Sequence, residues 1–337
     1  MGSKKKTALV ISGGGSKGAF AVGVIKSIYE RYREDGWFDI VGGTSTGALI
    51  SPMAALVASK DDSISNEALK TLARIYSDVH TKDILDKENI FQLIFRMHSI
   101  YQSDPLDNLI KSEFQQEWFE WLQSKEAPDC YVVYVNYKNG KKVFVSPKDK
   151  GITRETFIRA MMASASVPVV MEATIIDKEL CYDGGVRDLL PFTKAINMGA
   201  KKIIPIFLDP ENLNEIKPGK RIDKVLLRTL EILVDEAGKN DYKMAKLINF
   251  AIQIKNDLLQ TFSEDAETKE KIQAIFKKEK YKDLVGPEKM VLDIIKDLRP
   301  DKALTDNSLE FYPEEMRKWM KMGKEKAEKI IVKSPFL

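Results

Sequence analysis

Asp39-Ile40-Val41-Gly42-Gly43-Thr44-Ser45-Thr46-Gly47-Ala48-Leu49-Ile50 is the stretch on which the fold class turns. Trp37 to Val41 reads as a β-strand, Gly43-x-Ser45-x-Gly47 as the corner that ends it, and Ala48 to Ser59 as the helix that follows. A serine between glycines at a strand-to-helix corner has the form of a nucleophile elbow: the turn exposes the hydroxyl, and the glycines keep side chains out of its way. Toward the N-terminus, Thr7 to Ser12 is another short apolar run and Gly13-Gly14-Gly15-Ser16-Lys17-Gly18 a second glycine-rich turn. Ala19 to Tyr32 follows it, with Phe20, Val24 and Ile28 on one helical face. This alternation predicts a three-layer α/β/α fold, a mostly parallel sheet covered on both faces with its sites at the strands' carboxyl ends.

Toward the C-terminus, Tyr131 to Tyr137 and Lys142 to Ser146 flank Asn139-Gly140, a hairpin signal that puts an antiparallel pair in or beside the sheet. Lys201 to Leu208 reads as a further buried strand. These elements define a core over residues 1–212, interrupted by a helical insertion over about 61–128 that holds His80, His98, Trp118 and Trp121. Residues 213–337 read as a helical extension packed on that core, a possible lid or membrane-facing region. Within it the lysine-rich stretch Lys220 to Leu298 spaces Ile222, Val225, Leu226, Leu230, Leu233 and Val234 at three and four. No internal repeat or coiled-coil array is visible.

A serine hydroxyl needs a base within hydrogen-bond reach before it can attack an ester. In the usual serine, acid, histidine order of such a fold the histidine comes late, yet His80 and His98 are the only two and both lie in the insertion. Leu180-Cys181-Tyr182-Asp183-Gly184-Gly185 supplies a candidate instead, an apolar strand end delivering an aspartate into two glycines. A free carboxylate with a pKa near 4 is a weak base, and burial would raise it. The plain reading of Asp183 is a turn aspartate capping its own backbone. The Gly13 to Gly15 loop is suited to turn consecutive N–H groups toward an oxyanion, just ahead of a helix N-terminus. It also fits G-x-G-x-x-G, but the acid that a dinucleotide site wants at the end of the next strand is missing, since Asp39 lies in or before that strand and Gly42-Gly43 ends it. A phosphate-binding Walker loop fails because Ala19-Phe20 follow Gly18. Lys17 reads either as a solvated loop charge or as a support for this loop.

Three motifs in this order, Gly13 to Gly18, the elbow at Ser45 and Asp183-Gly184-Gly185, resemble the patatin-like phospholipase family. The likeness runs from about Thr7 to Asp209 and includes Ala163-Ser164-Ala165-Ser166-Val167-Pro168 between nucleophile and acid. Lys17 stands where many relatives carry arginine, and Ser12 where plant members often have aspartate. The resemblance implies a Ser45–Asp183 dyad, an oxyanion hole from Gly13, Gly14, Gly15 and Ser16, and supporting roles for Lys17, Gly18, Gly43, Gly47, Gly184 and Gly185. It implies hydrolysis of fatty acyl esters of lipids or phospholipids, with no cofactor and no calcium. Transfer of the acyl group to another lipid hydroxyl, or a lipid- or nucleotide-binding module without turnover, are the alternatives.

Composition sets the outer bounds. With 337 residues, 44% of them hydrophobic, the chain can bury a large core, and a net charge of +3 gives no nucleic-acid footprint. Lys269-Glu270-Lys271 and Lys277-Lys278-Glu279-Lys280 read as a solvated helix face or as contacts for anionic lipid headgroups. Cys130 and Cys181 sit in apolar, strand-like contexts and read as small core residues in a reducing compartment. No metal-ligand spacing is present. The basic start Met1 to Lys6 is followed by an apolar run, Ala8 to Ile11, too short for a signal peptide, and Lys6 breaks the myristoylation pattern. The expected location is therefore cytoplasmic, with any membrane contact peripheral; no stretch approaches the roughly 20 apolar residues of a spanning helix.

Overall fold

In the first strand, side-chain alternation already separates two cores. Ala8 and Val10 belong to one apolar cluster and Leu9 and Ile11 to the other, and all four are fully buried, as a strand covered on both faces requires. The computed structural model describes residues 6–33, 38–87, 101–102, 104–213, 222–279, 293–294 and 298–333. Met1 to Lys5, Trp37, His98, Lys220 and Lys280, named above, lie outside the described residues.

The strands are β1 (Lys6–Ile11), β2 (Ile40–Thr44), β3 (Asp86–Lys87), β4 (Tyr101–Gln102), β5 (Asp129–Asn136), β6 (Lys142–Val145), β7 (Thr174–Ile176), β8 (Glu179–Asp183), β9 (Ala200–Ile206) and β10 (Asp293–Ile294). The helices are α1 (Gly18–Tyr32), α2 (Thr46–Val57), α3 (Asp62–Asp78), α4 (Asp104–Glu113), α5 (Gln116–Gln123), α6 (Arg154–Ala165), α7 (Phe192–Asn197), α8 (Ile222–Thr261), α9 (Ala266–Phe276) and α10 (Pro313–Lys333).

One sheet runs β10-β9-β1-β2-β5-β8-β7, with β6 paired to β5 off that path. The β10 to β5 half is parallel, and β6, β7 and β8 join antiparallel. The expected hairpin is β5–β6, turning with Gly140 at φ 66°. The expected three-layer α/β/α architecture is thus the observed one. Phe20, Ile50, Leu72, Phe157 and Trp319 of α1, α2, α3, α6 and α10 fill one face of the sheet. Phe192 and Ile196 of α7, with Ala245 of α8, fill the other.

Among its described residues the insertion carries the helices α3, α4 and α5 and the short antiparallel pair β3–β4; Trp118 is buried in the first core while Trp121 packs against it. Residues beyond 212 add β10 to the sheet edge, bridge Leu298 to Ile206, and lay α10 across α1. That crossing depends on two glycines: a Cβ on Gly23 would stand 1.8 Å from the Met320 carbonyl oxygen, and one on Gly323 2.0 Å from that of Phe20. Lys324 closes the crossing with an ion pair to Glu30 at 2.7 Å.

Candidate active site

Ser45 occupies the single residue between β2 and α2, at φ 57° and ψ −126°. A non-glycine residue at positive φ costs about 1–3 kcal/mol and persists only where its surroundings hold it. Here the backbone is pressed close on both sides. A Cβ on Gly43 would lie 2.4 Å from the Gly47 carbonyl oxygen, and one on Gly47 2.3 Å from that of Ile11. The Ser45 N–H donates to Ser164 Oγ at 2.9 Å, and that hydroxyl donates to the Val133 carbonyl at 2.6 Å. Ser164, on α6, thereby ties the corner to β5. Its segment stands out in the sequence, but nothing there marks this serine as the partner of the elbow.

Asp183 ends β8, which pairs antiparallel with β5. It is 5% exposed, and its Oδ1 accepts the Gly185 N–H at 2.7 Å. Burial pushes its carboxyl up to about 6, against the opposing pull of hydrogen bonds from the Ser45 side chain and the Gly185 amide. The sheet therefore brings Ser45 and Asp183 into contact. The turn after Asp183 leaves no room for side chains, since a Cβ on Gly184 would meet the Val133 carbonyl oxygen at 2.4 Å.

The first glycine-rich turn lies on the same site. A Cβ on Gly13 would come within 2.9 Å of Ser45 Cβ, and Gly15 takes φ 56°. The backbone N–H groups of Gly13, Gly14 and Gly15 have no hydrogen-bond partner among the described residues. Ser16 differs: its N–H donates to the Ser308 carbonyl at 2.9 Å and its hydroxyl to the same oxygen at 3.1 Å. In this arrangement Ser16 anchors the loop to the segment before α10. Lys17 is not the solvated loop charge that was one of its readings; it is 7% exposed, and its Nζ meets Asp209 Oδ1 and Oδ2 at 2.6 and 2.7 Å. Gly18 is held against Tyr76, whose ring carbon would be 2.6 Å from an added Cβ. Asp209 and Ser308 could not be found from local sequence, because they act across 192 and 292 positions of the chain.

His80 is exposed at the start of a short turn, where its N–H donates to Asp83. Cys130 and Cys181 are buried thiols, both pushed up by burial. No cluster of three or more His, Cys, Asp or Glu able to hold a metal ion occurs among the described residues.

Ser45, Asp183 and Gly13 to Gly15 open on a cavity of about 1320 Å³, larger than the roughly 300–1,000 Å³ of ordinary small-ligand pockets. Leu72, Ile110, Phe114, Met161, Met171 and Phe311 give it apolar walls, and the inner side of α8 closes it with Val234, Gly238 and Tyr242.

The family model for patatin-like phospholipases matches residues 9–196. Patatin-like phospholipase domain-containing protein 6 of Mus musculus and of Homo sapiens are each 28% identical over 200 residues, which is 59% of this chain and 13% of the relative. This chain thus spans only a small part of those relatives. Uncharacterized protein L620 of Acanthamoeba polyphaga mimivirus is 24% identical over 195 residues, 51% of this chain and 52% of the relative. Among solved structures, VipD from Legionella pneumophila aligns over 98% of this chain and 67% of its own, at 13% identity and a TM-score of 0.44. With more than half of its length under the family model, the chain belongs to the patatin-like phospholipase family.

Proposed function

We propose that the chain is a serine acyl hydrolase of lipid esters in which Ser45 is the nucleophile and Asp183 its base. The observation that carries this is the contact between a strained, partly exposed Ser45 and a buried Asp183 whose carboxyl is raised to about 6. Asp183 takes the Ser45 Oγ proton as Oγ attacks the acyl carbonyl carbon. The N–H groups of Gly13, Gly14 and Gly15 receive the developing oxyanion, and the α2 N-terminus adds a favourable field. As the ester C–O bond breaks, the proton passes from Asp183 to the departing alcohol. Water then attacks the acyl-serine, Asp183 takes its proton, and the fatty acid leaves as Ser45 is restored. No histidine is needed, because a base near neutrality is already in place and oxyanion stabilisation supplies much of the rate. The apolar cavity walls suit an acyl chain.

A fluorophosphonate probe tests this reading. Stoichiometric labelling is expected at Ser45 and is lost in Ser45→Ala; a folded wild type that takes no label would make the chain a lipid-binding module without turnover.

Contact with a bilayer surface belongs to the same proposal, since the substrates reside there. Its support is on α8, where Ile232, Leu233, Met244, Leu247 and Phe250 are all exposed. At 3.6 residues per turn they fall within an arc of about 120°. The opposite face carries the buried Ala245, Ile248 and Ile252, so the helix is apolar on both its inner and its outer side. No helix among the described residues is long and apolar enough to cross a membrane.

A further inference from the structure

One side chain joins α8 to the turn that follows Asp183. Asp241 Oδ2 accepts the backbone N–H groups of Leu189 at 2.8 Å and Leu190 at 3.1 Å. These residues end the segment that leaves Asp183 through Gly184 and Gly185, and that segment touches each part of the site. The Asp188 carbonyl accepts the hydroxyl of Thr44, the neighbour of Ser45, at 2.8 Å. The Leu189 side chain fills the space beside Gly13, where an added Cβ would be 2.9 Å from Leu189 Cδ1. On its other side it packs against α8 so closely that a Cβ on Gly238 would be 2.8 Å from Leu189 Cδ2. The buried Asp188 carboxylate is held in turn by Lys142 Nζ at 2.6 Å.

Within the turn the N–H groups of Arg187 and Asp188 both donate to the Gly184 carbonyl at 2.9 Å. Its place against the rest of the site comes from the bonds named above, and among those hydrogen bonds Asp241 alone comes from the helix that walls the cavity. We propose that Asp241 is a positioning residue for the Ser45–Asp183 pair, fixing from α8 the turn on which Asp183, Thr44 and the Gly13 loop converge. The inference rests on the catalytic reading of Ser45 and Asp183 given above.

The test compares Asp241→Ala, which removes the acceptor, with Asp241→Asn, which keeps a side-chain carbonyl at the same reach. Displacement of a catalytic group by about 1 Å costs up to roughly 100-fold in rate. Asp241→Ala is therefore expected to lower kcat for a short p-nitrophenyl ester by about 10- to 100-fold, with KM within about twofold of wild type, while Asp241→Asn recovers most of the loss. Hydrogen exchange at Leu189 and Leu190 should speed up in the alanine variant and return toward wild type in the asparagine variant. An Asp241→Ala protein with wild-type kcat would overturn the proposal, as would a loss that falls on KM alone. So would an Asp241→Asn protein as impaired as alanine with the same drop in Tm, since that pattern marks a fold defect. A wild type that neither hydrolyses the ester nor takes the fluorophosphonate removes the catalytic reading of Ser45 itself, a result distinct from an active wild type with an equally active Asp241→Ala.

Discussion

At the scale of the residue, the site is held together by groups that the fold disfavours. Ser45 sits at positive φ, and Asp183 is buried with its carboxyl raised from 3.8 to about 6. Between these two values the native state holds a proton that the unfolded chain has released. Stability contributed by Asp183 is therefore present at low pH and declines as pH rises through about 4 to 6. At 1.36 kcal/mol per pKa unit the shift corresponds to about 3 kcal/mol by neutral pH. Asp183→Asn removes that cost along with the base. Turnover should disappear while Tm at pH 8 rises above wild type, and the gain should vanish at pH 4, where wild-type Asp183 is protonated; thermal scans at the two pH values check this. An Asp183→Asn protein less stable than wild type at pH 8 would mean that the carboxylate's bonds to Ser45 and Gly185 outweigh its burial. Wild-type kcat/KM should meanwhile climb through pH 6 as the base is uncovered.

At the scale of the element, what could be read in the sequence was what neighbours in the chain decide. The runs Thr7 to Ser12 and Ala19 to Tyr32 became β1 and α1, and Asn139-Gly140 marked the β5–β6 hairpin, because strand period, helix period and turn chemistry are local. Ser45, Asp183 and the glycine loop were visible for the same reason, since each sits in its own short motif. The partners that hold them were not. Ser164 under the Ser45 amide, Asp209 on Lys17 and Ser308 on Ser16 are joined only by the fold. The glycine loop yields a prediction at this scale. A Cβ on Gly14 would stand 2.8 Å from Leu208 Cβ and 2.9 Å from its Cδ1, so Gly14→Ala must shift the loop and its open amides. Loss of one oxyanion donor costs about 100- to 1,000-fold in kcat, and steady-state kinetics should show that fall with KM little changed; an unaltered kcat would take the loop out of the mechanism. The α1–α10 crossing yields another. Gly23→Ala drives a methyl into the Met320 carbonyl, an overpacking that costs about 1–3 kcal/mol, and a lower urea midpoint is the expected outcome. Equal stability would mean that the two helices can part without loss.

At the scale of the whole molecule, the cavity and the exposed stripe share one helix, and this decides how substrate would arrive. The inner side of α8 walls the chamber that holds Ser45, while Leu247 and Phe250, both about three-fifths exposed, stand on its outer side. Lys277 and Lys278, exposed just after α9, supply charge nearby in sequence. Two forces could bring such a surface to a bilayer. Burying apolar side chains contributes about 1.5–3 kcal/mol for each large residue, whereas each basic residue near an anionic surface adds about 1 kcal/mol and is screened beyond about 8 Å at physiological salt. With six or more exposed apolar side chains on α8, the apolar share should dominate. Liposome co-sedimentation is therefore expected to rise with anionic lipid and to weaken in high salt without vanishing. Leu247→Glu with Phe250→Glu should abolish it at any salt, and charge reversal at Lys277 and Lys278 should remove mainly the salt-sensitive part. Hydrolysis of a soluble ester should survive both sets of changes, since none of the four residues lines the cavity. Sedimentation that ignores the α8 substitutions would separate the stripe from lipid, and the outer face of α8 would then need another partner.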